Sequence, residues 1–131
     1  MRLLHEDLLP YLNRQHILGQ HRECAALRGG GWGRKHATVD YAFTHPREWL
    51  WQYHMKVMEE MERRGYHPDP IWKDFKYRGK TLPPLKEEAQ IENLSQSHPI
   101  FPEHNDAYLT ECITLLKTKG YTDTDLPMER P

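Results

Sequence analysis

Residues 15–23 read Gln-His-Ile-Leu-Gly-Gln-His-Arg-Glu. At 3.6 residues per turn, His16 and Glu23 stand seven apart and share one face of a helix. Gly19 and Gln20 lie between them, and Arg22 flanks Glu23. Such a face offers a carboxylate for acid–base work, an imidazole and a guanidinium for an anion, and a glycine where a side chain would block approach. It is the working surface of this chain.

The elements that must position it follow from the pattern around it. Asn13 is suited to cap a first helix over 14–28, and Gly29-Gly30-Gly31 ends it. Ile17, Leu18, Cys24, Ala25 and Leu27 supply its apolar side, which leaves a polar strip free. A second helix is expected from His45-Pro46 to Gly65, with Trp49, Leu50, Tyr53, Val57, Met58 and Met61 at helical spacing. Trp49-Leu50-Trp51 opens that periodic run and reads as core rather than as a stacking platform. A third long helix fits Glu103 or Asn105 to Lys119, with Leu109, Cys112, Ile113 and Leu116 inward and Gly120 as the stop. Residues 66–84 hold four prolines and read as a long packed loop with a helical turn at 71–75; 85–94 is expected to be a short helix. Residues 38–43 alternate like a strand, but no second strand exists to pair with them. The expectation is an all-α fold, a compact single-domain helical bundle over 1–131 with long irregular loops and a mobile tail at 121–131.

Composition bounds the function. Hydrophobic residues are 37% and charged residues 28% of 131, which fits one modest globular core rather than a disordered chain. The first seven residues contain Glu6 and Asp7 where a signal peptide would be apolar, and no apolar run reaches the roughly 20 residues of a membrane span. A cytoplasmic, monomeric protein is expected, with Cys24 and Cys112 as buried apolar groups. A net charge of −1 excludes a protein that coats nucleic acid through bulk charge. Residues 1–36, however, carry six cations against three anions, so the rest of the chain sums to −4. The positive footprint surrounds the first helix.

Gln15-His16, Arg22-Glu23, Arg34-Lys35-His36 and the helix closing on Met61-Glu62-Arg63-Arg64-Gly65-Tyr66 together resemble the pyrimidine-dimer DNA glycosylases of the phage T4 endonuclease V type. The resemblance runs from the amino terminus to about Tyr66. It implies an all-helical repair enzyme that flips a base from damaged duplex DNA, cleaves the glycosidic bond and breaks the strand by β-elimination, with no cofactor and no metal. It further implies an amino-terminal amine as nucleophile, on Met1 or on Arg2 after processing. Glu23 takes the role of the acid/base residue, and Arg22 and His16 grip DNA beside it. Residue 2 is arginine where the family has a small residue, and Ala26 stands where it has an arginine, with Arg28 the nearest substitute. The family's aromatic-basic tail is also missing.

Other readings stand beside this one. Arg34, Lys35 and His36 suit phosphates, or simply a solvated loop, and Trp32 in its glycine-rich setting suits stacking on a base. Glu23 could pair with Arg22 or Arg28 as a surface ion pair. A catalytically altered domain that binds nucleic acid or a small anion would keep the same scaffold. A metal-dependent hydrolase would need His5, His16, His21 and His36 to converge, with Glu6 or Asp7 adding oxygen ligands.

Overall fold

The structure is a computed structural model that describes residues 2–30 and 39–127. Asparagine starts two of its three α-helices. In α1 (Arg14–Arg28) the Asn13 side chain accepts from the His16 N–H, and in α3 (Asp106–Thr118) Asn105 accepts from the Tyr108 N–H. Each cap satisfies one orphan amide of the first turn and is worth about 1 kcal/mol. Between them, α2 (Arg47–Arg63) follows Pro46. The other regular pieces are 3-10 segments at Glu6–Tyr11, Asp40–Phe43, Pro70–Lys73 and Ile91–Asn93. No strand occurs among the described residues, so the fold is all-α. No described helix is long and apolar enough to cross a membrane.

Two helices end in the same way. Gly65 (φ +86°) and Gly120 (φ +101°) take the left-handed conformation after α2 and α3. The following amides turn back, Tyr66 N–H to Met61 and Tyr121 N–H to Leu116. This closure is open to glycine because it lacks the Cβ that would clash. The tyrosine placed after each glycine is thereby aimed at the start of α1. Tyr66 lies under the Arg14 guanidinium, and the Tyr121 hydroxyl accepts from the Asn13 N–H at 2.8 Å.

The core forms where the three helices meet around residues 3–12. Ile17, Cys24 and Leu27 of α1 join Leu50, Tyr53, Val57 and Met61 of α2 and Leu109, Cys112, Ile113 and Leu116 of α3. Leu3, Leu4, Leu8, Leu9 and Leu12 fill the space between. Both cysteines are free and buried, and burial pushes the Cys24 thiol up.

Two local expectations are corrected. Residues 85–94 do not form a helix; the 3-10 turn Ile91–Asn93 is all that is regular there. The Gln90 N–H goes to Glu48 and the Ser95 N–H to Gln52, so α2 side chains take amides that a helix would use internally. Ile91 is 78% exposed and gives such a helix no apolar face to bury. The alternating stretch before Thr44 is a 3-10 turn with Phe43 outward. Trp51, read as core, is half-buried, and its indole donates to the Lys73 carbonyl. Residues 121–127 begin with buried Tyr121 and end beside buried Leu126.

Candidate active site

Gln20 sets the geometry of the site. Its Oε1 accepts from the Leu4 N–H at 3.0 Å, and its Nε2 donates to the Arg2 carbonyl at 3.1 Å. The Tyr53 hydroxyl of α2 lies 2.7 Å from the Leu4 carbonyl and 2.9 Å from Gln20 Oε1, sharing one proton between them. From α3, the Tyr108 hydroxyl donates to the Leu3 carbonyl at 2.6 Å, and Glu111 pairs with Arg2 at 2.9 Å. That pairing holds the Arg2 guanidinium above its ordinary pKa. Residues 2–4 are thus strapped by side chains from all three helices, because an extended segment has no backbone ladder to satisfy its own amides and carbonyls.

Beside the strap lies a cavity of about 470 Å³ lined by Arg2, Gln15, His16, Gly19, Arg22 and Lys119, with leucines of α3 on the far wall. No carboxylate lines it, so its field favours an anion. Arg22 is exposed and His16 half-buried. The Tyr121 hydroxyl, which accepts from the Asn13 N–H, also bonds His16 Nδ1, 2.8 Å away, with the two rings stacked. Burial and, secondarily, Lys119 lower the His16 pKa, so the ring is neutral near pH 7. Gly19 meets no packing demand: an added Cβ would touch only the Arg22 guanidinium, at 3.7 Å.

Glu23 stands one turn beyond Gln20, 4% exposed and outside the cavity lining. No described residue hydrogen-bonds or ion-pairs with its carboxylate. Neither Arg22 nor Arg28 takes it. Arg28 points instead into the loop after α2. There it donates to the carbonyls of Trp72 and Asp74 at 2.7 Å and Tyr77 at 3.2 Å, and to His54 Nδ1 at 2.9 Å. Desolvation brings its pKa down to about 10. With Nδ1 accepting, His54 carries its proton on Nε2 and donates to His21 Nδ1 at 2.7 Å. Burial, followed by the Arg28 charge, drives the His54 pKa to about 2.

Met1, Trp32, Arg34, Lys35 and His36 lie outside the described residues. The described members of the suggested metal constellation do not converge. His5 stacks on His104 and His16 on Tyr121, while His21 lies tilted against His54 and bonds to it. Donor atoms of Glu6, Asp7 and His98 do approach one another, but His98 and Lys56 already bridge these carboxylates.

A family model for pyrimidine dimer DNA glycosylases matches residues 1–74, more than half of the chain. The chain belongs to that family. No curated protein and no solved structure matches it. The family segment holds α1, α2 and the strap at residues 2–4, whereas Tyr108, Glu111, Lys119 and Tyr121 lie beyond it. Sequence reasoning missed those four, together with Gln20 as a clamp and Tyr53 behind it. The signal available for Tyr121 was the repeated Gly-Tyr pair at the ends of α2 and α3.

Proposed function

We propose that this member of the glycosylase family excises pyrimidine dimers or related base lesions from duplex DNA and then nicks the strand as an abasic-site lyase. The amine at the amino terminus, on Met1 or on Arg2 after processing, attacks the sugar C1′. The glycosidic bond breaks as the new C–N bond forms, and the base departs with the electron pair and a proton. The attacking nitrogen gives up one of its two protons as the base leaves, O4′ takes a proton from solvent as the nitrogen lone pair opens the ring, and an iminium that keeps the other N–H results. Removal of the C2′ proton then expels the 3′ phosphate. An α-amine suits this attack because its ordinary pKa near 7.7–8.0 leaves an appreciable neutral fraction at pH 7. Glu23 stabilises positive charge developing on the sugar and moves the C2′ proton.

Arg22 and His16 hold phosphates beside the lesion, with Trp32, Arg34, Lys35 and His36 as further DNA contacts. Arg28 enters this reading through the loop that it holds. The base opposite the dimer leaves the duplex, which opens the way to the lesion's sugar.

One observation carries the reading. The segment leading to the amine is strapped to α1 by Gln20, one turn from a buried carboxylate that no described residue satisfies. A carboxylate set this deep on α1 with no bonding partner among the described residues is suited to binding or proton transfer rather than to packing. Borohydride reduction in the presence of abasic-site DNA tests the amine. A covalent adduct mapping to the first residue is expected, and absence of any adduct overturns the lyase step.

A further inference from the structure

A second and larger cavity lies away from the candidate active site. It lies at the other end of α1, encloses about 730 Å³, and shares no lining residue with the candidate active site. A volume of this size is ordinary for a small-molecule site, roughly 300–1,000 Å³. Three arginines line it: Arg28 from the end of α1, Arg47 from the start of α2, and Arg78 from the loop between α2 and α3. None of the three pairs with a carboxylate among the described residues. Arg28 has carbonyls, His54 Nδ1 and the face of the Trp72 ring as partners, Arg78 bonds the Arg28 carbonyl, and Arg47 is exposed. Asp40 is the one carboxylate of the lining, so the balance of charge is positive.

The remaining walls are aromatic. Trp51 and Tyr77 contribute to the lining, and Phe43 stands at it 53% exposed. Phe43 is the most exposed phenylalanine of the described chain, so its ring is free to take a planar partner from solvent. The walls are also rigid. Arg28 ties down the carbonyls of the Trp72–Tyr77 loop, Trp51 is fixed by its bond to Lys73, and Leu85 is fixed by its N–H bond to the Lys76 carbonyl. Guanidiniums with no acid to neutralise them, set among flat rings in a preformed hollow, select for a ligand that is both anionic and planar.

We infer that this second cavity binds a nucleotide, its base against the Phe43 side and its phosphate against Arg47 and Arg78. The ligand is a single unstacked nucleotide, drawn from the free pool or from a DNA strand. Base stacking on an aromatic side chain is tolerant of sequence, so the site discriminates nucleotide from phosphate rather than one base from another. A phosphate held here also balances the Arg28 charge, which the fold surrounds with neutral dipoles and the Trp72 ring.

Calorimetric titration of the full chain tests this with four probes: thymidine 5′-monophosphate, thymidine, inorganic phosphate, and a 5′-phosphorylated single-stranded tetranucleotide. The monophosphate or the tetranucleotide is expected to bind more tightly than thymidine and phosphate. That affinity is expected to fall about tenfold or more in Phe43→Ser and in Arg47→Gln. Both positions are exposed, so both variants are expected to melt like the parent, with Arg78→Gln as a further variant of the same site. Binding of the monophosphate assigns the free pool as a source; binding of the tetranucleotide alone assigns the strand. Three outcomes overturn the inference: no binding of either nucleotide probe, affinities unchanged in all three variants, or phosphate binding as tightly as the monophosphate. An excision assay on the parent protein reports on the proposed catalytic site separately, since none of these residues belongs to it.

Discussion

At its carboxyl end, α1 carries a cation with partners on every side; five residues earlier it carries a carboxylate with none among the described residues. Arg28 is surrounded by carbonyls and an imidazole that accepts from it, and these bonds organise the loop from Trp72 to Tyr77. Glu23 is buried more deeply, and no described residue bonds to it. The two groups share a helix, and the second has no hydrogen bond from a described residue. The satisfied charge is architecture. The other, beside the strapped amino-terminal segment and a positive cavity, is the group that the proposed function puts to chemical use.

Substitutions should separate these two kinds of charge. Glu23→Gln is expected to lower excision by about 10²–10⁴, the usual range for loss of a general acid/base group. Its melting temperature should be no lower than the parent's, since no partner is orphaned. A clear loss of stability would place Glu23 with Arg28 as architecture. Arg28→Met should do the reverse, lowering stability by about 3 kcal/mol in denaturant unfolding by stranding several carbonyls and His54. A stable but inactive Arg28 variant would erase the contrast.

Acid sharpens the structural side of the comparison. His54, with its pKa near 2, and His104, near 3, are neutral in the fold, burial being the larger cause at each. Unfolded, each takes a proton near pH 6.5. Their contribution is therefore complete above about pH 6.5 and drains away as pH falls toward the folded values. By pH 5 the loss is about 2 kcal/mol per histidine. Flat stability between pH 7 and 5 would contradict the buried neutral assignment.

The amino-terminal side can be probed more gently. Tyr121→Phe removes the hydroxyl bonded to His16 Nδ1 and leaves the Asn13 amide without its acceptor. A fall of up to about tenfold in kcat/KM is expected, with a changed acid limb in the pH profile because the ring is no longer held at Nδ1. Tyr66→Phe, whose ring alone contacts Arg14, is the matching control and should change neither. The smallest effect belongs to Gly19→Ala. Helix propensity predicts a gain of about 0.5–1 kcal/mol, since the new methyl meets only the Arg22 side chain. Weaker DNA binding in that more stable variant would show that the glycine serves the ligand; unchanged binding would leave it an ordinary flaw in the helix.

Much of this was legible beforehand where local chemistry decides. Asn13, Gly29, Gly65, Asn105 and Gly120 mark helix ends that the structure reproduces closely, because caps and left-handed stops act within a few residues. The region of residues 85–94 was misread because its amides are claimed by Glu48 and Gln52, more than forty positions away. Long-range claims of this kind leave no periodic trace. The strap at residues 2–4 was equally hidden: Gln20 reads as a surface residue until Leu4 and Arg2 arrive on its side chain. Cys24 and Cys112, by contrast, were readable as apolar fillers from their isolation alone.

The paired Gly-Tyr endings carry one more consequence. The segment that identifies the family stops at residue 74, yet the ring that fixes His16 belongs to residue 121. In the order of synthesis the acid, the cleft's first wall and the strapped segment come before the far wall from α3 and its closing tyrosine. A chain shortened ahead of α3 therefore lacks the groups that tie down Arg2 and Leu3 and the ring that holds His16.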